Sequence, residues 1–470
     1  METIHKRYLL GYLAVSAISF FLLVMPTRAG VSVPIFMVIQ FVCLRSLAPK
    51  KKPLLMFIPL FILALNSFIS ANTMWRVPNF FVSAVLLGVM ALWLTGQFSI
   101  KGPLLNFMFA TFLAVFRPFF HFFVPVEWFA ESRKEHVGTF KRVAIGVAIA
   151  VPCLIFLLAI LSNADLIFSH TVNRFFSWLW RIVNFPMIFR LVLSIVVGLY
   201  LFGMIYYIRR ANSDDIDKAL PKIKERKGDL IILNIVLVSV LLIYTLFVAI
   251  QFRYLFANAG DLPFGLTFES YARRGFFELM LLTAINIAFI LLAVWLTKER
   301  TGKWATLTKI LLLYLCAVTA ILLVSSFYRM WLHGSDDGLT RMRFMVFGFL
   351  IFKAVGLGAT FVYVIKPKFN IAALYCAVAL TYYLLLNVVP MDAIVARSQI
   401  DRYFQTGRSG IHYVMTLSPD AAPQITRLLE SDNAVTRTKA LRFLRVRFEH
   451  TEDFGWRQWN LSIDRLSRLR

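Results

Sequence analysis

The sequence predicts an all-α, polytopic helical membrane protein, and three observations support that fold class. Of the 470 residues, 59% are hydrophobic and only 16% are charged, a balance outside that of soluble globular proteins. Apolar runs of roughly 18 or more residues, the length that crosses a bilayer, recur from the N-terminus to about residue 389. The runs are continuous and do not alternate, so they predict helices and not barrel strands.

The runs predict about eleven spans, four within residues 1–97 and seven in a core over residues 143–389. The first run follows Lys6 and Arg7 as in a signal peptide, but its length of about 18 residues and the nearby Arg28 favour an uncleaved signal anchor. The predicted spans are 8–25, 31–47, 54–71, 79–95, 143–162, 191–208, 230–252, 275–297, 309–327, 344–365 and 371–389.

The segment between residues 98 and 142 contains a long aromatic stretch, 103–128, that is broken by Arg117-Pro118, His121 and Pro125. Proline removes a helical hydrogen-bond donor, and a central arginine costs a few kcal/mol on insertion scales. We therefore expect an interfacial or re-entrant segment that does not cross the membrane.

In a membrane protein a net charge of +25 is first a signal of topology, so we expect no nucleic-acid partner. If 103–128 does not cross, every loop lysine before residue 390 falls on one side, and the loops of the opposite side carry only arginine. The positive-inside rule then places the N-terminus inside and the C-terminus outside the plasma membrane. The lipid bilayer is the first expected partner.

Residues 390–470 are predicted to form a small soluble helical module on the outside, because the apolar runs end at Pro390. Side-chain acceptors at 418–420 and 432–433 predict the starts of two short helices that pack on each other. Trp456 and Trp459 follow them. The favoured interpretation is that they cap this core, and the alternative is that they enter the outer membrane interface.

Two ionisable residues, Glu278 and Lys353, lie inside predicted spans, where an isolated charge is costly. Our hypothesis is that they pair or share a hydrated cavity. A static ion pair that orients two helices, or a lysine that reaches up to the interface, is the structural alternative. Uncharged polar residues in the spans are expected to form interhelical hydrogen bonds. These are Asn66, Asn234, Gln251 and Asn286.

The predicted outer loops are rich in arginine, whose fork-shaped guanidinium group suits anion binding. A salt-bridge network that holds the loops together is the alternative. The candidate outer-face binding residues are Arg273, Arg274, Arg329, Arg341 and Arg343. The four cysteines and seven histidines show no metal-ligand or nucleophile spacing, so we predict no metal, no cofactor and no catalytic residue. Enzyme chemistry has no positive support.

Several ordered motifs resemble those of a known family. They are SNAD at 162–165, YARRGFFEL at 271–279, RM at 329–330 with GLT at 338–340 and Arg343, DAIVARSQIDRYFQTG at 392–407, LSPDAAP at 417–423 and WRQWNLS at 456–462. Over about residues 140–470 the chain resembles the bacterial membrane-protein family called domain of unknown function 4173, related to the 4153 type. The resemblance implies a polytopic bacterial membrane protein with no assigned activity. Glu278 lies within one of these motifs and Lys353 within none.

The sequence leaves two classes of function open. The first is a sensory or scaffolding protein that binds a partner, such as a protein, through its outer loops and C-terminal module. The alternative is a small-molecule or ion transporter or channel that uses Glu278 and Lys353. A continuous polar cavity would favour transport, and a solidly packed bundle beneath an outer groove would favour binding. The oligomeric state stays open.

Overall fold

The computed structural model describes residues 3–25, 30–47, 52–95, 104–130, 137–182, 184–210, 229–255, 276–297, 301–367, 370–407, 410–449 and 455–469. Its regular elements are helices, and no strand occurs within these ranges, which confirms the predicted all-α class.

The helices are numbered in chain order. In the first part of the chain they are α1 (Thr3–Ser19), α2 (Ser32–Leu47), α3 (Phe57–Ile69), α4 (Arg76–Leu94), α5 (Leu104–Phe116), α6 (Val124–Ala130), α7 (Val137–Ala164), α8 (Leu166–Ile182) and α9 (Phe185–Arg210). They continue with α10 (Leu230–Leu255), α11 (Phe276–Leu296), α12 (Lys303–Asp337), α13 (Arg341–Ile365) and α14 (Ile371–Val388). The last are α15 (Met391–Thr406), α16 (Ile411–Val414), α17 (Ala422–Ile425), α18 (Ala434–Glu449) and α19 (Leu461–Ser467).

Ten helical stretches in the described residues are long and apolar enough to cross a membrane. They are Lys6–Val24, Lys52–Ile69, Arg76–Leu94, Phe107–Trp128, Phe185–Arg210, Leu230–Ile250, Phe276–Leu296, Lys303–Trp331, Arg341–Ile365 and Ile371–Val388. The chain is therefore a multi-pass membrane protein. The predicted spans 31–47 and 143–162 coincide with the shorter apolar helices Ser32–Ser46 and Ile149–Ser162, and Phe107–Trp128 meets the length criterion although we expected it not to cross.

Two apolar clusters hold the bundle together. The first joins α1 to α4 with α9, and the second joins α10 to α13, while α14 packs against both α3 and α13. Gly198 permits a close approach of α1 and α9, because a Cβ atom at this position would lie 2.8 Å from that of Ala17. Buried residues of the first cluster include Leu9, Leu60, Met90 and Phe202, and those of the second include Leu237, Ile290, Leu315 and Leu322.

Hydrogen bonds between helices supplement this packing, as predicted for three of the four intramembrane amides. Asn66 Nδ2 donates to the Asn387 carbonyl at 2.7 Å, and Asn286 Nδ2 donates to Thr319 Oγ1 at 3.1 Å. Asn234 Oδ1 accepts from Thr308 Oγ1 at 2.7 Å. The side chain of Gln251 lies outside the described residues. In lipid, such bonds satisfy polar groups that have no water to bind.

The two ends of the bundle differ. The turns at 70–75 and 338–340, and the end of α14, all contact residues 391–469, and we call this end the module end. The helix ends near residues 95, 210, 297 and 366 lie at the other end, which we call the opposite end.

The segment 104–130 consists of two helices around a 3-10 turn at Arg117–His121. α5 packs against α4 at the opposite end, where Ala110 and Ala114 join Leu92 in one cluster. After the turn the chain approaches residues of that same end again, since the Trp128 ring lies 5.7 Å from that of Tyr206. Lys6 Nζ also lies over the Trp128 ring, 5.5 Å from its centroid.

Candidate functional site

Residues 391–469 form a module with its own apolar core at the module end. Val395, Ile400, Val414, Ile425 and Leu444 are buried in it. Three side chains of the membrane bundle also pack against this core: Leu339, Phe344 and Met345. Because the core of the module extends into α13, the module is docked on the bundle and is not tethered by a linker.

The turn between α12 and α13 is shaped to receive the module. Gly338 has a φ of +78°, a conformation that favours glycine, and a Cβ atom there would lie 2.7 Å from the Gln399 side chain. Gln399 in turn donates from Nε2 to the Leu339 carbonyl at 2.8 Å. The absence of a side chain at Gly338 therefore lets α15 pack closely against this turn.

Asp392 joins the module to two parts of the bundle. Its side chain is buried, and Arg341 donates to it from Nε and Nη2, each bond being 2.6 Å long. The Ser418 backbone N–H donates to the same carboxylate at 2.9 Å and Asn72 Nδ2 at 3.3 Å. Burial raises the pKa of Asp392, but the hydrogen bonds from Arg341 and Ser418 outweigh it and hold the pKa below its ordinary value.

A second carboxylate, Asp420, ties the turn after α3 to the module. It accepts hydrogen bonds from the hydroxyl groups of Ser70 and Ser462, and from the Ala71 backbone N–H at 2.8 Å. Ser70 belongs to the bundle and Ser462 to α19, so one side chain bridges elements that are far apart in the chain. Hydrogen bonds to a carboxylate are stronger than hydrogen bonds between neutral groups, so several of them hold these elements together.

The two tryptophans after α18 lie outside the module core. Trp456 is 60% exposed and Trp459 is 40% exposed. The Trp459 ring packs 5.5 Å from that of Phe68, and its carbonyl accepts from the Val31 backbone N–H at 2.9 Å. The favoured interpretation that they cap the core is therefore wrong, because Leu466 of α19 is buried there instead.

The five candidate arginines have different places. Arg273 and Arg274 lie outside the described residues. Arg329 is buried on α12, and Arg343 is buried with Nη1 donating to the Gly338 carbonyl at 2.5 Å. The Arg341 pair and the Arg343 bond hold the module and its turn in place, and Arg329 is buried, so these three side chains do not form an open anion-binding surface.

The structure does not join Lys353 to Glu278. Lys353 is buried in the middle of α13, and its Nζ donates to the Met280 carbonyl and to Thr283 Oγ1 on α11. Glu278 is exposed on the other face of α11, and no ion pair joins the two side chains, both of which the structure describes. Helical periodicity explains the difference, since Thr283 shares the buried face with Leu279 while Glu278 does not.

The outward face of α18 carries a group of cations that the sequence analysis did not single out as a site. Lys439, Arg442 and Arg445 are exposed there, and Arg445 pairs with Glu449 at 3.0 Å. Arg447 turns inward instead, over the Phe443 ring at 4.8 Å. The spacing of three residues between the exposed cations is the signal that could have identified this face.

A comparison with protein families identifies a family whose model matches the chain. A family model described as a domain of unknown function, DUF4153, matches residues 57–428, well over half of the chain. The match is to the 4153 type, and the relation to the 4173 type is not shown; the matched range begins before the expected 140 and ends before 470. No curated protein and no solved structure matches the chain.

Proposed function

We propose that this chain, which belongs to the DUF4153 family, is a scaffolding or sensory membrane protein that binds an acidic partner protein through the outward face of α18. The observation that carries the proposal is the exposed basic face of a module that is docked on the bundle at several points. The family has no assigned activity, so the geometry is the basis of the proposal.

The docking of the module supports a binding role. The Asp392 and Asp420 contacts, and the core shared with α13, fix the orientation of α18 relative to the membrane. A surface held in one orientation loses little conformational freedom when a partner binds, which favours affinity. Exposed cations at an interface chiefly increase the association rate and exclude partners of like charge.

The location follows from the charge of the loops. If 103–128 does not cross the membrane, all loop lysines before residue 390 lie on one side, so we propose that the module lies outside the plasma membrane of a bacterial cell. The partner would then be an envelope protein with an acidic surface.

The test is a crosslinked pull-down of the tagged full chain from native membranes. The variant K439E/R442E reverses two exposed charges of α18. The matched control R465E/R468E makes the same charge change at Arg465 on α19 and at Arg468 directly after it. We expect a stoichiometric partner with the natural chain and the control, and its loss with K439E/R442E. The absence of a partner, or equal capture by both variants, would contradict the proposal.

Point variants are preferable here to removal of the module. Leu339, Phe344 and Met345 pack against the module core, so truncation after residue 391 would expose apolar surface on the bundle. A loss of binding after truncation would therefore not identify the binding surface.

A transporter or channel is the second candidate, because Lys353 is a buried cation in the middle of a membrane-spanning helix. This candidate predicts that ion flux into proteoliposomes disappears in Lys353→Met, whose unbranched side chain fills the same space. Glu278→Gln tests the other proposed group. A natural chain that supports no flux above empty vesicles would exclude this candidate for the ions tested.

A further inference from the structure

A cavity of about 460 Å³ opens at the opposite end of the bundle, between α11, α12 and α13. Its walls are mostly apolar, and two lysines, Lys309 and Lys366, stand among its lining residues. The apolar lining consists of Val294, Ala305, Leu312, Val364, Ile365 and Pro367.

The remaining polar side chains of the cavity are already bonded within the bundle. Thr297 Oγ1 donates to the Ala293 carbonyl at 2.7 Å, and Thr308 Oγ1 donates to Asn234 Oδ1 at 2.7 Å. Unlike these hydroxyl groups, the exposed ammonium groups of Lys309 and Lys366 form no ion pair with a carboxylate in the described part of the chain. The cavity therefore offers an apolar wall and two cations to a ligand.

The position of the cavity matches the boundary of a membrane. Lys366 directly follows the end of α13, and Thr297 directly follows the end of α11. Lys309 lies six residues after the start of α12, about 9 Å along the helix axis, and a flexible lysine stem lets its ammonium group approach the boundary.

We propose that this cavity binds an anionic phospholipid, with its phosphate between Lys309 and Lys366 and an acyl chain along Val294, Leu312 and Val364. Charge complementarity selects this ligand, because two cations at a helix boundary above an apolar wall match a negative headgroup on a hydrocarbon chain. The inference is independent of the proposed function, since it concerns the other end of the bundle.

A second cavity at the same end provides an internal comparison. It lies between α2 and α3, measures about 540 Å³ and is also largely apolar, but Arg45 is the single cation that the described residues contribute to its lining. The proposal therefore assigns the stronger preference for negative headgroups to the cavity that holds two lysines.

The experiment is native mass spectrometry of the purified full chain in detergent, titrated with dioleoyl phosphatidylglycerol and, separately, with dioleoyl phosphatidylcholine. We expect the natural chain to prefer the glycerol lipid. The variant K309Q/K366Q should weaken its binding about thirtyfold, on the basis of the contribution of two lysines near the surface. The charge-preserving variant K309R/K366R should retain it, which separates lost charge from lost folding.

The matched control is Lys303→Gln, because Lys303 is exposed at the start of α12 but does not line the cavity. Equal affinity for both lipids, or an equal loss in Lys303→Gln, would overturn the proposal. Displacement of the lipid by millimolar inorganic phosphate alone would also overturn it, since the site would then recognise a free anion and not a lipid.

Discussion

Single residues determine how the module is attached, and Asp392 is the clearest example. Its carboxylate has a bidentate partner on α13, a backbone donor within the module and an amide donor in the turn after α3. A buried carboxylate with this many donors is stabilising only as a set, because the loss of one partner leaves the others with unmet hydrogen bonds.

Asp392→Asn is expected to loosen the module by roughly 2–4 kcal/mol, because it leaves the Arg341 guanidinium without its counter-charge. Thermal unfolding of the purified chain, with limited proteolysis of residues 391–469, measures the effect. Asp401→Asn is the control, since Asp401 forms a more exposed pair with Arg427. A loss of about 0.5 kcal/mol or less is expected there. Similar values for the two variants would contradict the assignment.

The lowered pKa of Asp392 predicts a dependence on acid. A carboxylate whose pKa is lower in the folded state stabilises that state above its ordinary pKa of 3.8, and this stabilisation is lost as the pH falls through the lower folded value. Pepsin cleavage of the module should thus stay slow down to about pH 4 and accelerate below it. The acceleration attributable to this group should be absent in Asp392→Asn. An unchanged pH profile in that variant would count against the prediction.

At the scale of elements, the segment 104–130 is the least regular part of the bundle. Its two helices both contact the opposite end, and its 3-10 turn packs against α9, where Arg117 Nη1 donates to the Tyr207 hydroxyl at 3.0 Å. These contacts support the proposal of a re-entrant path, although Phe107–Trp128 is long enough to cross.

Labelling with a membrane-impermeant thiol reagent tests that path. Single cysteines at positions 100 and 130, in a chain without its four native cysteines, should react from the same side of the membrane. The reason is that a re-entrant segment returns to the face at which it enters. Reaction from opposite sides would replace this topology with a crossing helix.

The contact between the turn and α9 depends on Gly203. A Cβ atom there would collide with the Pro118 backbone, so Gly203→Val should displace the turn and destabilise the chain by about 1–3 kcal/mol. Thermal unfolding in detergent measures this effect. Gly358→Ala on α13 is the control, because a Cβ atom at Gly358 meets nothing within 4 Å. Equal melting shifts in both variants would show that the close approach has no importance.

At the scale of the whole molecule, the chain has a module end and a basic opposite end, and its orientation is a property of the loops taken together. A phosphatase fused after residue 470 should be active, and a fluorescent protein that folds only in the cytoplasm should be dark, because the positive-inside rule places the C-terminus outside. The reverse pattern would invert the proposed location of the module and of α18.

The fold class and the positions of most spans could be predicted from the amino-acid sequence alone. The reason is that the free energy of transferring an apolar run into lipid depends on about 20 consecutive residues and not on distant parts of the chain. The interhelical role of Asn66, Asn234 and Asn286 could also be predicted, since a polar group in lipid must find a partner.

The pairs of side chains that contact each other could not be predicted from the sequence. Asp420 contacts Ser70, 350 residues away, and Lys353 donates to Met280 and Thr283 and not to Glu278. Which side chains become partners depends on the rotation of each helix about its axis and on which helices are neighbours. Composition and hydrophobic periodicity determine neither of these. For the same reason the sequence predicted loop arginines as a binding surface, whereas Arg341 and Arg343 hold the module and its turn in place.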